Sequence, residues 1–170
     1  MVPLGRINHI IVHCSDTEDG PSLSWPAIRR VHVEERGWED IGYHAGIEFF
    51  GPQIVLCPGR PVWAQGAHCK AAGRNHDSLG VCLVGDFDER PPADELWDCA
   101  AMIVAHLALL AHVRTEDVRG HREFDPGKTC PGSRFDLERF RRDVGLRMRS
   151  GFALLGWGSC GREEFEGRRG

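Results

Sequence analysis

Between Gly120 and Gly132 the chain reads Gly-His-Arg-Glu-Phe-Asp-Pro-Gly-Lys-Thr-Cys-Pro-Gly, which places an imidazole (His121), an ammonium (Lys128) and a thiol (Cys130) in one irregular stretch. Glycines and prolines at this density mark a loop, and loops held by a rigid frame serve chemistry more often than packing. Imidazole nitrogen and thiolate sulfur are ligands that zinc prefers. A further imidazole comes from His13, which follows the β-branched run Ile10-Ile11-Val12 and so stands where a buried strand opens toward a cleft. Two imidazoles and a thiolate leave a tetrahedral ion one open position, the arrangement of catalytic rather than structural sites. Because the three residues lie far apart in sequence, their spacing alone does not single out a metal site. Lys128 stands out through the chain's own usage: every Lys or Arg position except 70 and 128 is arginine. The two cations are not interchangeable at a reacting centre.

The remaining histidines divide by position. His106 and His112 fall on or just after a long amphipathic segment, where a surface or dipole-facing role is expected. His9 lies inside the first strand as a core or edge residue. His32 falls on the first helix, and two roles stay open for it, packing partner and wall of a substrate groove.

The elements that must carry these side chains alternate between strands and helices. A buried central strand is expected over 7–13, followed by a turn through 16–20. Ser24 is a candidate N-cap for a helix over 25–35, with Pro26 tolerated in its first turn and Gly37 beyond its end. Segments 46–50 and 53–57, split by Gly51-Pro52, read as a hairpin, and 80–84 as another buried strand. The clearest helix covers 93–112: Leu96, Ala100, Ile103, Leu107 and Leu110 recur at helical spacing, and Asp94 and Glu95 occupy the favoured first turn. A short strand over 117–119 delivers His121, and a helix over 134–148 turns Phe135, Leu137, Phe140 and Val144 to the core. The fold class expected is α/β, a central mixed β-sheet flanked by helices on both faces.

A length of 170 residues suits one domain with a proper core, here 1–148, followed by a tail over 149–170. The formal charge of −4 and the lack of aromatic-interleaved basic runs argue against nucleic-acid binding. The N-terminus shows no basic start with a long apolar core, so neither a secretory signal nor a membrane span is expected, and synthesis is expected in the cytoplasm. Seven cysteines without a CxxC pair disfavour a disulfide framework and read mostly as buried thiols. Residues 145–170 carry five arginines against three glutamates, together with Trp157. Two roles fit that tail: a segment packed on the domain, or one giving weak, salt-sensitive association with the anionic cell envelope.

Longer motifs resemble a known family. Ile11-Val12-His13-Cys14-Ser15-Asp16-Thr17, Ile28-Arg29-Arg30-Val31-His32, Arg36-Gly37-Trp38-Glu39-Asp40-Ile41-Gly42-Tyr43-His44, Gly66-Ala67-His68 and Asn75-His76-Asp77-Ser78-Leu79-Gly80-Val81-Cys82-Leu83-Val84-Gly85 occur in order ahead of the 120–132 loop. Together they resemble the zinc N-acetylmuramoyl-L-alanine amidases of the peptidoglycan-recognition-protein superfamily, and most of all the small phage lysozymes that are amidases. The resemblance implies one Zn2+ per chain on His13, His121 and Cys130, with Tyr43 and Lys128 catalytic. It further implies a peptidoglycan groove in which His68, Asn75 and His32 line the substrate; for His68 and Asn75, a purely loop-stabilising role fits the residues equally. The chain departs from the family pattern between Tyr43 and Gly66, where Phe49-Phe50-Gly51-Pro52-Gln53 replaces the usual Asp-Gly hairpin. The implied activity is hydrolysis of the amide between N-acetylmuramic acid and L-alanine, by a phage or prophage endolysin that reaches the periplasm or wall at lysis. Alternatives are a non-catalytic recognition module of the same fold and a regulatory, polymerase-binding phage lysozyme.

Overall fold

A computed structural model describes residues 1–17 and 24–154. Five strands, β1 (His9–Cys14), β2 (Ala45–Phe50), β3 (Gln53–Pro58), β4 (Ser78–Leu83) and β5 (Val118–Gly120), form one sheet in the order β3-β2-β4-β1-β5. The β2–β3 hairpin is antiparallel and all other neighbours run parallel, so the sheet is mixed as expected. β1 lies between β4 and β5, and every residue after His9 in it is buried, which explains its unbroken apolar run.

Strand residues alternate between two faces, and the two faces have different work. Ile10 and Val12 of β1, Ile47 of β2 and Leu79, Val81 and Leu83 of β4 form the main core beneath helices α2 (Asp94–Ala111) and α3 (Leu137–Leu154). On the opposite face Trp25 and Ile28 of α1 (Trp25–Arg30) pack with Ile41, Cys57, Cys82 and Val84. His13 pairs in register with Cys82, and its ring stands on this second face. Gly46 makes room there for the Trp25 indole, which a Cβ would strike.

The helix over 25–35 forms with the expected bounds, α-helical to Arg30 and π-helical over Val31–Glu35. Other element expectations are corrected. Ser24 gives no side-chain cap; the buried Glu48 carboxylate on β2 instead accepts from Ser24 N at 2.9 Å and Trp25 N at 2.9 Å. The expected stripe of α2 holds at Leu96 and Ala100, which are buried, and in part at Ile103 and Leu107, which pack against the core, but Trp97, Ala101, Val104, Ala105 and Ala108 are buried beside it and Leu110 is 80% exposed. α3 starts at Leu137, where the Asp136 carboxylate accepts from Arg139 N at 2.9 Å, while Ser133 N and Arg134 Nε are held by Asp88; it continues to Leu154. Most of the arginine-rich tail lies outside the described residues.

Candidate metal centre and active site

The site forms at the C-terminal ends of two adjacent parallel strands, where open sheets assemble ligand sites. β1 delivers His13, and β5 ends at Gly120, so that His121 begins a short 3-10 turn, His121–Glu123. That turn is pinned by Glu123, which accepts from Gly120 N at 2.8 Å and pairs with Arg141 at 3.0 Å. Cys130 returns to the same place from the loop beyond. Its position is set by Arg122, whose backbone N donates to Cys130 O at 2.7 Å and whose guanidinium donates to the carbonyls of Thr129, Gly132 and Phe135. Asp88 holds the other side of the loop through the Thr129 hydroxyl at 2.6 Å. Gly132, with φ +117°, lies against the Phe87 backbone where no side chain fits.

His13, His121 and Cys130 thereby converge, with one ligand atom of each within 4.8 Å of the others. Cys130 Sγ is 3.6 Å from His13 Nδ1. Nitrogen and sulfur ligands of one tetrahedral zinc stand roughly 3.6 Å apart, so the donor set and this spacing fit that ion. Cys14 N donates to Cys130 Sγ at 3.4 Å, an interaction that favours a thiolate. The six cysteines within the described residues are all free, as expected.

A cavity of about 620 Å3 opens over the trio. Tyr43, Lys128, His32, His68 and Asn75 all line it, and so do Arg36 and Trp38. The Tyr43 ring lies 5.1 Å from that of His13. Lys128 is exposed on the loop, near enough to His121 for its charge to act there. His32 accepts from Gly42 N at 3.2 Å through Nδ1 and stacks on Trp38 at 4.6 Å, so packing and a place on the cavity wall coexist in it. Asn75 Oδ1 accepts from both His68 N and Cys69 N, at 2.9 and 2.8 Å. His68 is only 8% exposed and puts Nδ1 3.0 Å from His13 Nε2. Residues 49–53, where the family pattern is broken, line no part of this cavity.

Two positioning residues carry no local sequence signal. Buried His44 bridges Gly80 N, 2.9 Å from its Nδ1, and Ala64 O, 2.9 Å from its Nε2. Arg60 donates to the carbonyls of Ile41, Gln65 and Asp40 and so anchors the segment leading to Tyr43. His106 and His112, set aside on sequence grounds, are exposed on and at the end of α2, well separated in role from the trio.

Burial sets the electrostatics. It pushes the imidazoles of His13, His44 and His121 below their ordinary range, His32 to about 4 and His68 to about 3, with neighbouring histidines or cations adding to the fall. Neutral imidazole is the form that ligates a metal. Burial likewise pushes the Tyr43 phenol up, keeping its proton in place. The neighbouring Cys14 side chain and burial hold the Cys130 thiol protonated and outweigh the opposing pull of the Cys14 backbone N–H, so a cation is what would ionise it.

Fold and site together define a class: a mixed-sheet α/β enzyme with two imidazoles and a thiol at the floor of an open groove. Its model among protein families is equally specific, since that of N-acetylmuramoyl-L-alanine amidase matches residues 3–133. The chain belongs to this amidase family, and its enzyme class is that of a peptidoglycan amidase. It is 39% identical to the endolysin of Escherichia phage T7 over 77% of this chain and 83% of that one. Among solved structures, the amidase LysC of Clostridium intestinale superposes with a TM-score of 0.69 at 24% identity, covering 82% of this chain and 86% of that one. A Drosophila peptidoglycan-recognition protein LB mutant in complex with tracheal cytotoxin superposes with a TM-score of 0.68 at 27% identity, covering 81% and 86%. Among the described residues no helix is long and apolar enough to cross a membrane.

Proposed function

We propose that the protein is a zinc-dependent endolysin that hydrolyses the amide between the lactyl carbonyl of N-acetylmuramic acid and the nitrogen of L-alanine. The observation that carries this reading is the convergence of His13, His121 and Cys130 at the floor of the groove in a chain of the amidase family. Water adds to the carbonyl carbon, the carbon–nitrogen bond breaks, and the products are a lactyl carboxylate and the free amine of the stem peptide. A zinc ion supplies water activation near neutral pH and polarisation of the carbonyl.

The chain's own residues do the rest. His13 and His121 present neutral nitrogens, and Cys130 contributes the charge that partly offsets a dication. Tyr43, kept protonated, donates its hydroxyl hydrogen to the carbonyl oxygen as negative charge grows there. Lys128 brings a compact cation to the same charge from the loop. Arg36 and Trp38, lining the groove with His32, offer a cation and a flat apolar surface to the stem peptide and glycan.

In this reading synthesis is cytoplasmic and the enzyme reaches the wall at lysis, with peptidoglycan as its partner. The proposal keeps 1–148 as the catalytic domain and gives the arginine-rich tail a weak hold on anionic envelope. Added salt should abolish that hold in a vesicle-binding assay, and binding unchanged by salt would remove it.

The metal assignment is tested by elemental analysis and activity of the wild type and of Cys130→Ser. One zinc per chain is expected in the wild type, with much weakened retention and no hydrolysis in a folded Cys130→Ser. A fully active metal-free wild type would overturn the assignment.

A further inference from the structure

His13 has two ring nitrogens, and the fold gives them different neighbours. Nδ1 faces Cys130 Sγ at 3.6 Å, on the side where the candidate ligands converge, whereas Nε2 faces His68 Nδ1 at 3.0 Å. A neutral imidazole offers a metal only the nitrogen that carries no hydrogen. Whatever accepts the hydrogen on the other nitrogen therefore selects the ligand's tautomer and fixes the tilt of its ring.

His68 is seated for that task from several directions. Its ring lies against Gly66 and Gly80, and a Cβ at either position would collide with it. Gly80 belongs to β4, the strand hydrogen-bonded to β1, so the seat of His68 and the root of His13 are parts of one sheet. Its backbone is clamped by Asn75 Oδ1 through His68 N and Cys69 N. The His44 ring, 5.6 Å away and itself bonded to Gly80 N, closes a further side. A side chain so enclosed is held against His13 even though it also lines the groove.

We propose that His68 is a positioning residue of the metal centre: its Nδ1 accepts the Nε2 hydrogen of His13 and so keeps the His13 Nδ1 lone pair aimed at the point shared with His121 and Cys130. The assignment rests on the zinc reading above. It also gives Asn75, Gly66 and Gly80 a common purpose, since each constrains the acceptor.

The test measures zinc affinity of the full chain by competition with a chromophoric chelator. Outer-shell acceptors of this kind are worth about 10- to 100-fold in metal affinity. That loss is expected in His68→Leu, with most of it recovered in His68→Asn, whose Oδ1 falls near the place of the lost Nδ1. Proton–nitrogen NMR of the zinc-loaded wild type is expected to find His13 protonated on Nε2. Wild-type zinc affinity in His68→Leu would overturn the proposal, even with a raised KM, because that is the pattern of a residue touching substrate alone. Equal losses in the Leu and Asn variants, or His13 protonated on Nδ1, would also overturn it. The NMR result stands on the wild type and so decides the matter if His68→Leu does not fold. A wild type that binds no zinc would instead defeat the zinc reading, which keeps the two failures apart.

Discussion

Tyr43 and Lys128 approach the proposed metal ligands from different elements, one just ahead of β2 and the other from the loop after β5. Tyr43 is largely enclosed and keeps its proton, whereas Lys128 is exposed and owes its value to charge. If both act on the transition state, Tyr43→Phe and Lys128→Ala should retain zinc and lower kcat by about 10²- to 10³-fold each. Lys128→Arg should recover only part of that loss, because a planar guanidinium cannot present the same point charge. Steady-state kinetics on purified peptidoglycan decide this: a raised KM at unchanged kcat would move either residue to substrate binding. At this scale His13, His121 and Cys130 stood out one by one, at an element end or in a Gly/Pro-rich loop, but only the family resemblance joined them into one ligand set. His44 was not, since its importance rests on partners at Gly80 and Ala64 that only the folded sheet brings to it.

Among the elements, β2 contributes more than pairing. Glu48 sits in mid-strand with no exposure and closes the N-terminus of α1, the helix whose Trp25 builds the site-side cluster. Glu48→Ala leaves the N–H groups of Ser24 and Trp25 buried without that acceptor, and such a loss costs about 1–3 kcal/mol. Urea unfolding should register it, with Glu48→Gln losing less because one carbonyl oxygen remains; equal midpoints for all three proteins would show that α1 needs no such closure. Hydrophobic periodicity made every strand and every long helix readable to within a few residues. It could not reveal that a strand carboxylate replaces Ser24 as the cap, because the partners are separated by a long stretch of chain. It found the buried stripe of α2 at Leu96 and Ala100 but not its full width, since Ala101, Val104, Ala105 and Ala108 are also buried and Leu110 is not.

The whole molecule folds around a group of histidines held neutral by burial, which couples its stability to pH. His13, His32, His44, His68 and His121 all have lowered pKa values in the native state, whereas an unfolded chain protonates them near pH 6.5. Below that pH the unfolded state binds more protons, so the stabilisation present above pH 6.5 is lost as pH falls, through about 4 for His32 and about 3 for His68. Each histidine that stays neutral adds about 1.4 kcal/mol of loss per pH unit over its window. The thermal midpoint of the metal-free protein should therefore drop steeply between pH 7 and pH 4, and a flat profile would mean that the site admits water and charges freely. The mixed sheet with helices on both faces followed from the alternation of elements, but the order β3-β2-β4-β1-β5 did not, because parallel pairing between distant strands leaves no local mark. The central claim is that this sheet carries a zinc amidase specific for one bond of peptidoglycan. Its most direct test is product analysis of purified sacculi digested by the zinc-loaded protein, by the chelated protein and by chelated protein resupplied with zinc. New L-alanine amino groups without new reducing sugars, lost on chelation and restored by zinc, are expected; reducing sugars, or amino-group release unaffected by chelation, would contradict the account.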